Sequence, residues 1–338
     1  MRPSKTVPRG RNAKARSGFP AGAGLFLSLA ILLSAEPGRA QPVSAAATGP
    51  VRAFVTIQPQ AFFVERIGGD RVQVEVLVGP GQCAETFEAT PKQLARMSGA
   101  RLYFAVGMPM EETLVPRLLG NFPGLVVIDT QAGIDRRNLD DHGPTAGADG
   151  DAASEDDHPA DADGHSPSAH VHPHTGADPH TWLDPALAKV IARNIARGLM
   201  QVDPADSALF RANLRSLEAD LDRVDAEVRA LLAPAVGREM LVYHPYYGYF
   251  ARAYGLRQAA IEVGGFRPGS KYMAGIIDRA RQEGIHAIFV QEGVALAAAE
   301  TVAREIGGRV IVLDPLSRDY LVNLREMARR VRAGLMGE

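Results

Sequence analysis

Side chains able to ligate a metal crowd one stretch of this 338-residue chain. Six of its nine histidines, His142, His158, His165, His170, His172 and His174, fall in a segment rich in Asp, Glu, Gly, Ala and Pro. A seventh, His180, follows in Asp178-Pro179-His180-Thr181-Trp182. Imidazole and carboxylate bind borderline divalent cations, and a segment of this composition cannot build a packed core. The chemistry on offer is coordination of a transition metal, at a place that composition alone does not fix.

Only His180, His244 and His286 stand outside that segment. His180 ends the polar stretch just before a helix, where it either ligates a metal, stays in the solvated loop or caps the helix. His244 follows Leu241-Val242-Tyr243, at the carboxyl end of a strand, where open α/β sheets place ligand-contacting side chains. Its alternative is a histidine hydrogen-bonded to a tyrosine. His286 sits in a helix-to-strand turn at the opposite end of a strand and reads as structural. Among carboxylates, Asp314 follows Val310-Ile311-Val312-Leu313, as a ligand or as the side chain of an Asx turn. Glu85 follows a strand through Gly79-Pro80-Gly81-Gln82-Cys83-Ala84, and Glu292 is a further carboxylate at a strand end. Two imidazoles with two carboxylates suit Zn²⁺ or Mn²⁺. Cys83 is either a soft ligand beside Glu85 or a buried, inert thiol. As the chain's single cysteine it excludes an internal disulfide and a multi-thiolate zinc site.

The elements that must position these residues alternate. Strands are predicted at 52–59, 72–78, 102–106 and 125–128, with helices at 60–67, 90–98 and 111–119. Thr90 is the expected N-cap of its helix, with Pro91 at the first helical position. After the histidine-rich segment come helices at 185–200 and 205–232. The second carries Leu209, Leu214, Leu217, Leu221, Val224 and Val228 as its apolar stripe. A second alternation follows, with strands at 241–244, 259–263, 287–291 and 310–313 and helices at 247–254, 273–283, 297–306 and 320–335. The pattern implies an α/β fold of two halves, each a mostly parallel sheet with helices on its faces, with the histidine-rich segment and the long helix between them.

The N-terminus reads as an export signal. Basic residues precede an apolar run at 21–35, and Gly38-Arg39-Ala40 offers small residues before Gln41. The mature chain is expected to begin near Gln41 and to work outside the cytoplasmic membrane. A net charge of -2 gives no electrostatic case for nucleic acid or an anionic membrane.

The order of the pieces carries a resemblance. Gln82-Cys83-Ala84-Glu85-Thr86-Phe87 comes first, then the acidic histidine-rich insertion and Asp178-Pro179-His180-Thr181-Trp182-Leu183-Asp184-Pro185. A long helix follows, then His244-Pro245-Tyr246-Tyr247-Gly248-Tyr249-Phe250 and Leu313-Asp314-Pro315-Leu316. Together they resemble the periplasmic zinc- and manganese-binding proteins of ABC importers, the zinc-uptake type in particular. The resemblance implies a metal site in the cleft between the lobes, with ligands at Glu85, His180, His244 and Asp314. The first position is normally a histidine in that family, and Glu85 replaces it here, a harder donor that tolerates Mn²⁺ or Fe²⁺ better. In that family such histidine-rich loops accompany zinc-specific members, so the resemblance argues for zinc, with the six clustered histidines as a low-affinity collector. The implied organisation is a signal peptide at 1–40, an N-terminal lobe at 41–202 with a disordered loop at 138–177, a linking helix at 203–233 and a C-terminal lobe at 234–338.

The function expected is a periplasmic, monomeric receptor that captures zinc and delivers it to a membrane permease. Alternatives are a manganese or iron receptor of the same type, a metal buffer or chaperone, and a zinc hydrolase. The hydrolase lacks support, because a catalytic zinc needs an open water position and a general base, and no His-Glu-x-x-His string is present.

Overall fold

Alternating strands and helices resolve into two four-stranded parallel sheets of the same strand order. The computed structural model describes residues 49–138, 176–262, 269–291 and 296–338. The expected signal peptide, the six clustered histidines and Glu292 lie outside the described residues. Sheet one comprises β1 (Val51–Val55), β2 (Val72–Val76), β3 (Leu102–Ala105) and β4 (Val126–Asp129), in the order β2-β1-β3-β4. Sheet two comprises β5 (Glu239–Val242), β6 (Arg257–Ala260), β7 (Ala287–Gln291) and β8 (Arg309–Leu313), in the order β6-β5-β7-β8. Every pairing between these strands is parallel, which bears out the expected fold class. Residues Ala46–Glu338 form one compact unit that holds both lobes. In each sheet the chain reverses direction across the first strand, the switch point beyond whose carboxyl end ligands bind.

The first lobe carries α1 (Gln58–Gly68), α2 (Pro91–Arg96), α3 (Pro109–Asn121) and α4 (Pro185–Val202). The start signals act as read. Thr90 Oγ1 accepts the Gln93 amide at 3.3 Å while Gln93 Oε1 accepts the Thr90 amide at 3.0 Å, satisfying two donors that a helix start leaves open. Asp184 Oδ1 accepts the Ala186 amide at 2.8 Å ahead of Pro185. The apolar run 52–59 behaves differently from expectation. β1 stops at Val55, and Gln60 Oε1 takes the amides of Thr56 and Ile57 at 2.9 and 3.2 Å. That side chain turns the run into α1, with Pro59 in its first turn.

The long helix α5 (Ser207–Leu232) spans 26 residues, about 39 Å at 1.5 Å per residue. It begins two residues later than expected because Pro204–Asp206 forms a 3₁₀ turn. Its buried face is Phe210, Leu217, Leu221, Val224, Val228 and Leu232. Leu209, expected in that stripe, is 41% exposed; Phe210, seven residues before Leu217, holds the inward position. On the first lobe α5 packs against α1 and α4, where Arg66 pairs with Asp220 and Arg193 with Glu218, both at 2.6 Å. On the second it packs against α9 (Tyr320–Met336).

α6 (Gly248–Ala253), α7 (Ser270–Gln282), α8 (Leu296–Glu305) and α9 complete the second lobe. Its sheet shows a two-residue period. Met240, Val242 and Phe289 join the core shared with the first lobe, while Leu241, Tyr243, Ile288 and Val290 face a separate cluster with Ile276 and Val302. One apolar core therefore runs from the first sheet through α4, α5 and α9 to the inner face of the second. Wide hinge opening would expose that core.

A matching detail recurs in both lobes. Phe104 and Ile128 are register partners on β3 and β4, and a Cβ on Gly198 of α4 would lie 3.0 and 2.8 Å from their side chains. Phe289 and Ile311 are register partners on β7 and β8, and a Cβ on Gly334 of α9 would lie 2.8 and 2.6 Å from theirs. The two lobes thus repeat a Phe–Ile–Gly contact that the sequence alternation alone does not disclose.

Candidate metal centre

Glu85 is turned inward by local chain geometry. Gly79-Pro80-Gly81-Gln82 makes a tight turn closed by the Gln82 amide on the Gly79 carbonyl at 3.2 Å, with Gly81 at φ +71°. Proline second and a positive-φ glycine third suit a type II turn. Beyond it, Ala84 and Phe87 are buried and draw the Glu85 side chain in to 5% exposure.

His180 is placed by the other end of the first sheet. Gln131, just past β4, donates from Nε2 to the Val106 and Pro179 carbonyls, both at 2.6 Å. The isolated bridge between Asn138 and Ala177 and the Asp178 amide on the Arg137 carbonyl at 2.7 Å bring the two ends of the histidine-rich segment together. Asp178 Oδ1 then accepts from the His180 amide at 2.9 Å and His180 Nδ1 at 2.7 Å. Behind it, Trp182 Nε1 donates to the Pro315 carbonyl at 2.8 Å and the Tyr320 hydroxyl to the Trp182 carbonyl at 2.5 Å. The wall of one lobe is bonded directly to the loop of the other.

His244 enters from the second lobe in the loop after β5. The sheet register continues past the strands: the Glu262 amide bonds the Tyr243 carbonyl at 2.9 Å. Glu262 Oε2 therefore meets His244 Nδ1 at 2.7 Å. With each Nδ1 held by a carboxylate, the Nε2 atoms face Glu85. His180 Nε2 lies 3.4 Å and His244 Nε2 3.8 Å from Glu85 Oε1.

Among the described residues, Glu85, His180 and His244 form a group whose ligand atoms all lie within 4.8 Å of one another. Four-coordinate zinc with bonds of about 2.0–2.1 Å would set neighbouring ligand atoms roughly 3.3 Å apart. The cluster is thus within reach of an ion's coordination sphere. Asp314 is outside this group. Its Oδ1 accepts the Leu316 amide at 2.8 Å, an Asx turn at the carboxyl end of β8. His286 is exposed in the turn before β7, apart from the cluster.

The electrostatics favour charge separation inside the cluster. Burial pushes the Glu85 carboxyl up, but the His180 hydrogen bond, the His244 and His180 charges and the Cys83 thiol outweigh it and hold it well below the usual range. Burial pushes His180 down, and the charges and hydrogen bonds of Asp178 and Glu85 raise it to about 9. Burial, followed by the Glu85 charge, raises the Cys83 thiol. Cys83 donates to Glu85 Oε2 at 2.9 Å, and since only a thiolate ligates metals, it acts here as a donor to Glu85. Tyr246 donates to the same oxygen at 2.7 Å; burial and the Glu85 charge keep it a hydroxyl.

Asp178, Glu262 and Tyr246 are not among the residues that the sequence singles out. Asp178 has a signal, standing two residues before His180. Glu262 has none, because its contact with His244 depends on the register of β5 and β6. Tyr246 stands in a tyrosine-rich run whose members cannot be told apart by type or spacing.

Comparison with known proteins places the chain's sequence and fold in one family. The family described as zinc-uptake complex component A, periplasmic (ZnuA), matches residues 54–334. The high-affinity zinc uptake system protein ZnuA of Bacillus subtilis is 27% identical over 308 residues, covering 88% of this chain and 89% of that protein. A crystal structure of ZnuA is 31% identical with a TM-score of 0.72, covering 85% of this chain and 99% of the other. A ZnuA deletion mutant with zinc bound is 32% identical with a TM-score of 0.71, covering 84% and 98%.

Proposed function

This chain belongs to the ZnuA family of periplasmic zinc-uptake components, and from that membership we propose that it is a receptor that takes up a divalent transition metal, zinc first, outside the cytoplasmic membrane. It hands the ion to the permease of an ABC importer. A component of an uptake complex is a transport protein and not an enzyme, so the hydrolase alternative falls away. The cargo sits between the lobes, ligated by Glu85, His180 and His244, with Asp314 as the fourth ligand from the second lobe. The observation that carries this is the gathering of three ligand atoms from both lobes within 4.8 Å, each imidazole backed by its own carboxylate. Such backing fixes the ring orientation and raises ligand basicity.

In the same proposal the protein is a monomer exported by a signal peptide at 1–40 and cleaved before Gln41. The lobes at 41–202 and 234–338 flank the linking helix at 203–233. His142, His158, His165, His170, His172 and His174 form a collector that raises metal concentration near the cleft. Three features suit a receptor: ligands from both lobes, a continuous core that limits movement between the lobes, and deprotonated ligands that tie affinity to pH. The manganese or iron alternative draws on Glu85 alone, as the harder donor.

Zinc titration of the full chain against a competing chelator tests the proposal. Glu85→Ala, His180→Ala and His244→Ala should each weaken binding of one ion by well over tenfold, about 1.4 kcal/mol or more. Unchanged binding in His244→Ala overturns the two-lobe site.

A further inference from the structure

The two oxygens of Glu85 meet different neighbours. Oε1 faces His180 Nε2 and His244 Nε2 at 3.4 and 3.8 Å. Oε2 accepts two hydrogen bonds, from the Tyr246 hydroxyl at 2.7 Å and the Cys83 thiol at 2.9 Å. The Tyr246 donor is fixed in place: the residue is 1% exposed, and its ring centroid lies 4.4 Å from that of His180 and 4.6 Å from that of His244. Tyr246 belongs to the second lobe and Cys83 to the loop that carries Glu85, so the oxygen is held from both sides.

Resting on the assignment of Glu85, His180 and His244 as ligands, we propose that Tyr246 and Cys83 are positioning residues that restrict Glu85 to one oxygen toward the metal and thereby set the preference for zinc over manganese. A carboxylate that binds through both oxygens adds a coordination position. Mn²⁺ takes up oxygen-rich, six-coordinate shells, whereas protein-bound Zn²⁺ is content with four ligands. To enter the shell, Oε2 must surrender both hydrogen bonds, and bonds to an ionised acceptor are the strong kind. A carboxylate held this way offers the metal a single donor atom. The cluster can thus carry a harder donor at position 85 without gaining the coordination number that manganese exploits.

The chain's own residues supply the control. Cys83→Ala and Tyr246→Phe each remove one donor from Oε2 without changing any proposed ligand. The double variant removes both.

The test measures Zn²⁺ and Mn²⁺ affinities of the full chain by chelator competition, with the visible spectrum of the Co²⁺-loaded protein as a second readout. The variants are Tyr246→Phe, Cys83→Ala, the double variant and Glu85→Ala. The zinc-to-manganese affinity ratio should fall by about tenfold in the double variant, a step of about 1.4 kcal/mol. Its Co²⁺ bands should weaken toward those of five- or six-coordinate cobalt, with each single variant in between. Equal weakening of both metals with an unchanged cobalt spectrum, or no change at all, overturns the proposal. If Glu85→Ala keeps the parent's zinc affinity, Glu85 is not a ligand and the assignment beneath the proposal fails with it. If Glu85→Ala loses zinc while the double variant keeps the ratio, only the positioning role fails. Should Tyr246→Phe not fold, Cys83→Ala decides by the same ratio and spectrum.

Discussion

His244 Nδ1 lies 2.7 Å from Glu262 Oε2, a bond within the second lobe that aims Nε2 at the Glu85 carboxylate of the first. Asp178 does the same for His180. Carboxylates behind metal-binding imidazoles change affinity by roughly 10- to 100-fold. Glu262→Gln should therefore weaken zinc binding by about tenfold and Glu262→Ala by more within that range, both at an unchanged stoichiometry of one tight ion. Chelator competition reads both quantities. Parent-like affinity in Glu262→Ala would show that ring orientation is set elsewhere.

Proton release follows from the same pairing. Burial opposes a charge on His180, but Asp178 and Glu85 raise it from 6.5 to about 9. A folded-state value above the unfolded one stabilises the metal-free protein fully below about pH 6.5, and that contribution is lost as pH rises through about 9. A metal takes the place of the Nε2 proton, so the loaded protein trends the other way. Near pH 7, zinc binding should release close to one proton from His180, and affinity should strengthen up to about pH 9. Calorimetry in buffers of different ionisation enthalpy counts the protons. Binding at pH 7 with no release from His180 contradicts the assignment.

The repeated glycine contacts predict a loss of stability away from the metal. A methyl group on Gly198 or Gly334 would press into Phe104 and Ile128, or into Phe289 and Ile311. Overpacking of this kind costs about 1–3 kcal/mol. Gly198→Ala and Gly334→Ala should each lower the melting temperature of metal-free protein while binding one tight zinc. An unchanged melting temperature would mean that helix and sheet separate freely there.

Removal of the collector should leave the tight site. Asn138 and Ala177 are bridged and the Asp178 amide bonds the Arg137 carbonyl, so a chain lacking residues 140–176 rejoins at points already adjacent. That variant should keep one tight zinc and bind less metal in total, as equilibrium dialysis with elemental analysis would read. Loss of the tight ion would place the collector inside the site.

Local chemistry makes much of the fold legible in the sequence. Thr90 with Gln93, and Asp184 with Pro185, announce their helices because capping acts within a few residues. The alternation announces two parallel sheets, since a strand followed by a helix must return parallel. Glu85, His180 and His244 are readable as candidates because each follows an apolar strand or ends the polar segment. What stays hidden depends on distance in the chain. Glu262 is 18 residues from His244 and meets it through strand register, and Tyr246 reaches Glu85 across 161 residues. The outward turn of Leu209 is a matter of phase: one residue of helix is about 100° of rotation, enough to exchange it with Phe210. Asp314 is legible both as a ligand and as an Asx turn, and its bond to Leu316 is the local one.

X-ray absorption at the zinc edge, on the full chain loaded with one equivalent of zinc, reads which atoms hold the ion. Two imidazoles and carboxylate oxygens should appear at about 2.0–2.1 Å, with no sulfur near about 2.3 Å. Sulfur in the first shell would move the ion to Cys83, and three or more imidazoles would move it into the histidine-rich segment; either result contradicts a metal held by Glu85, His180, His244 and Asp314.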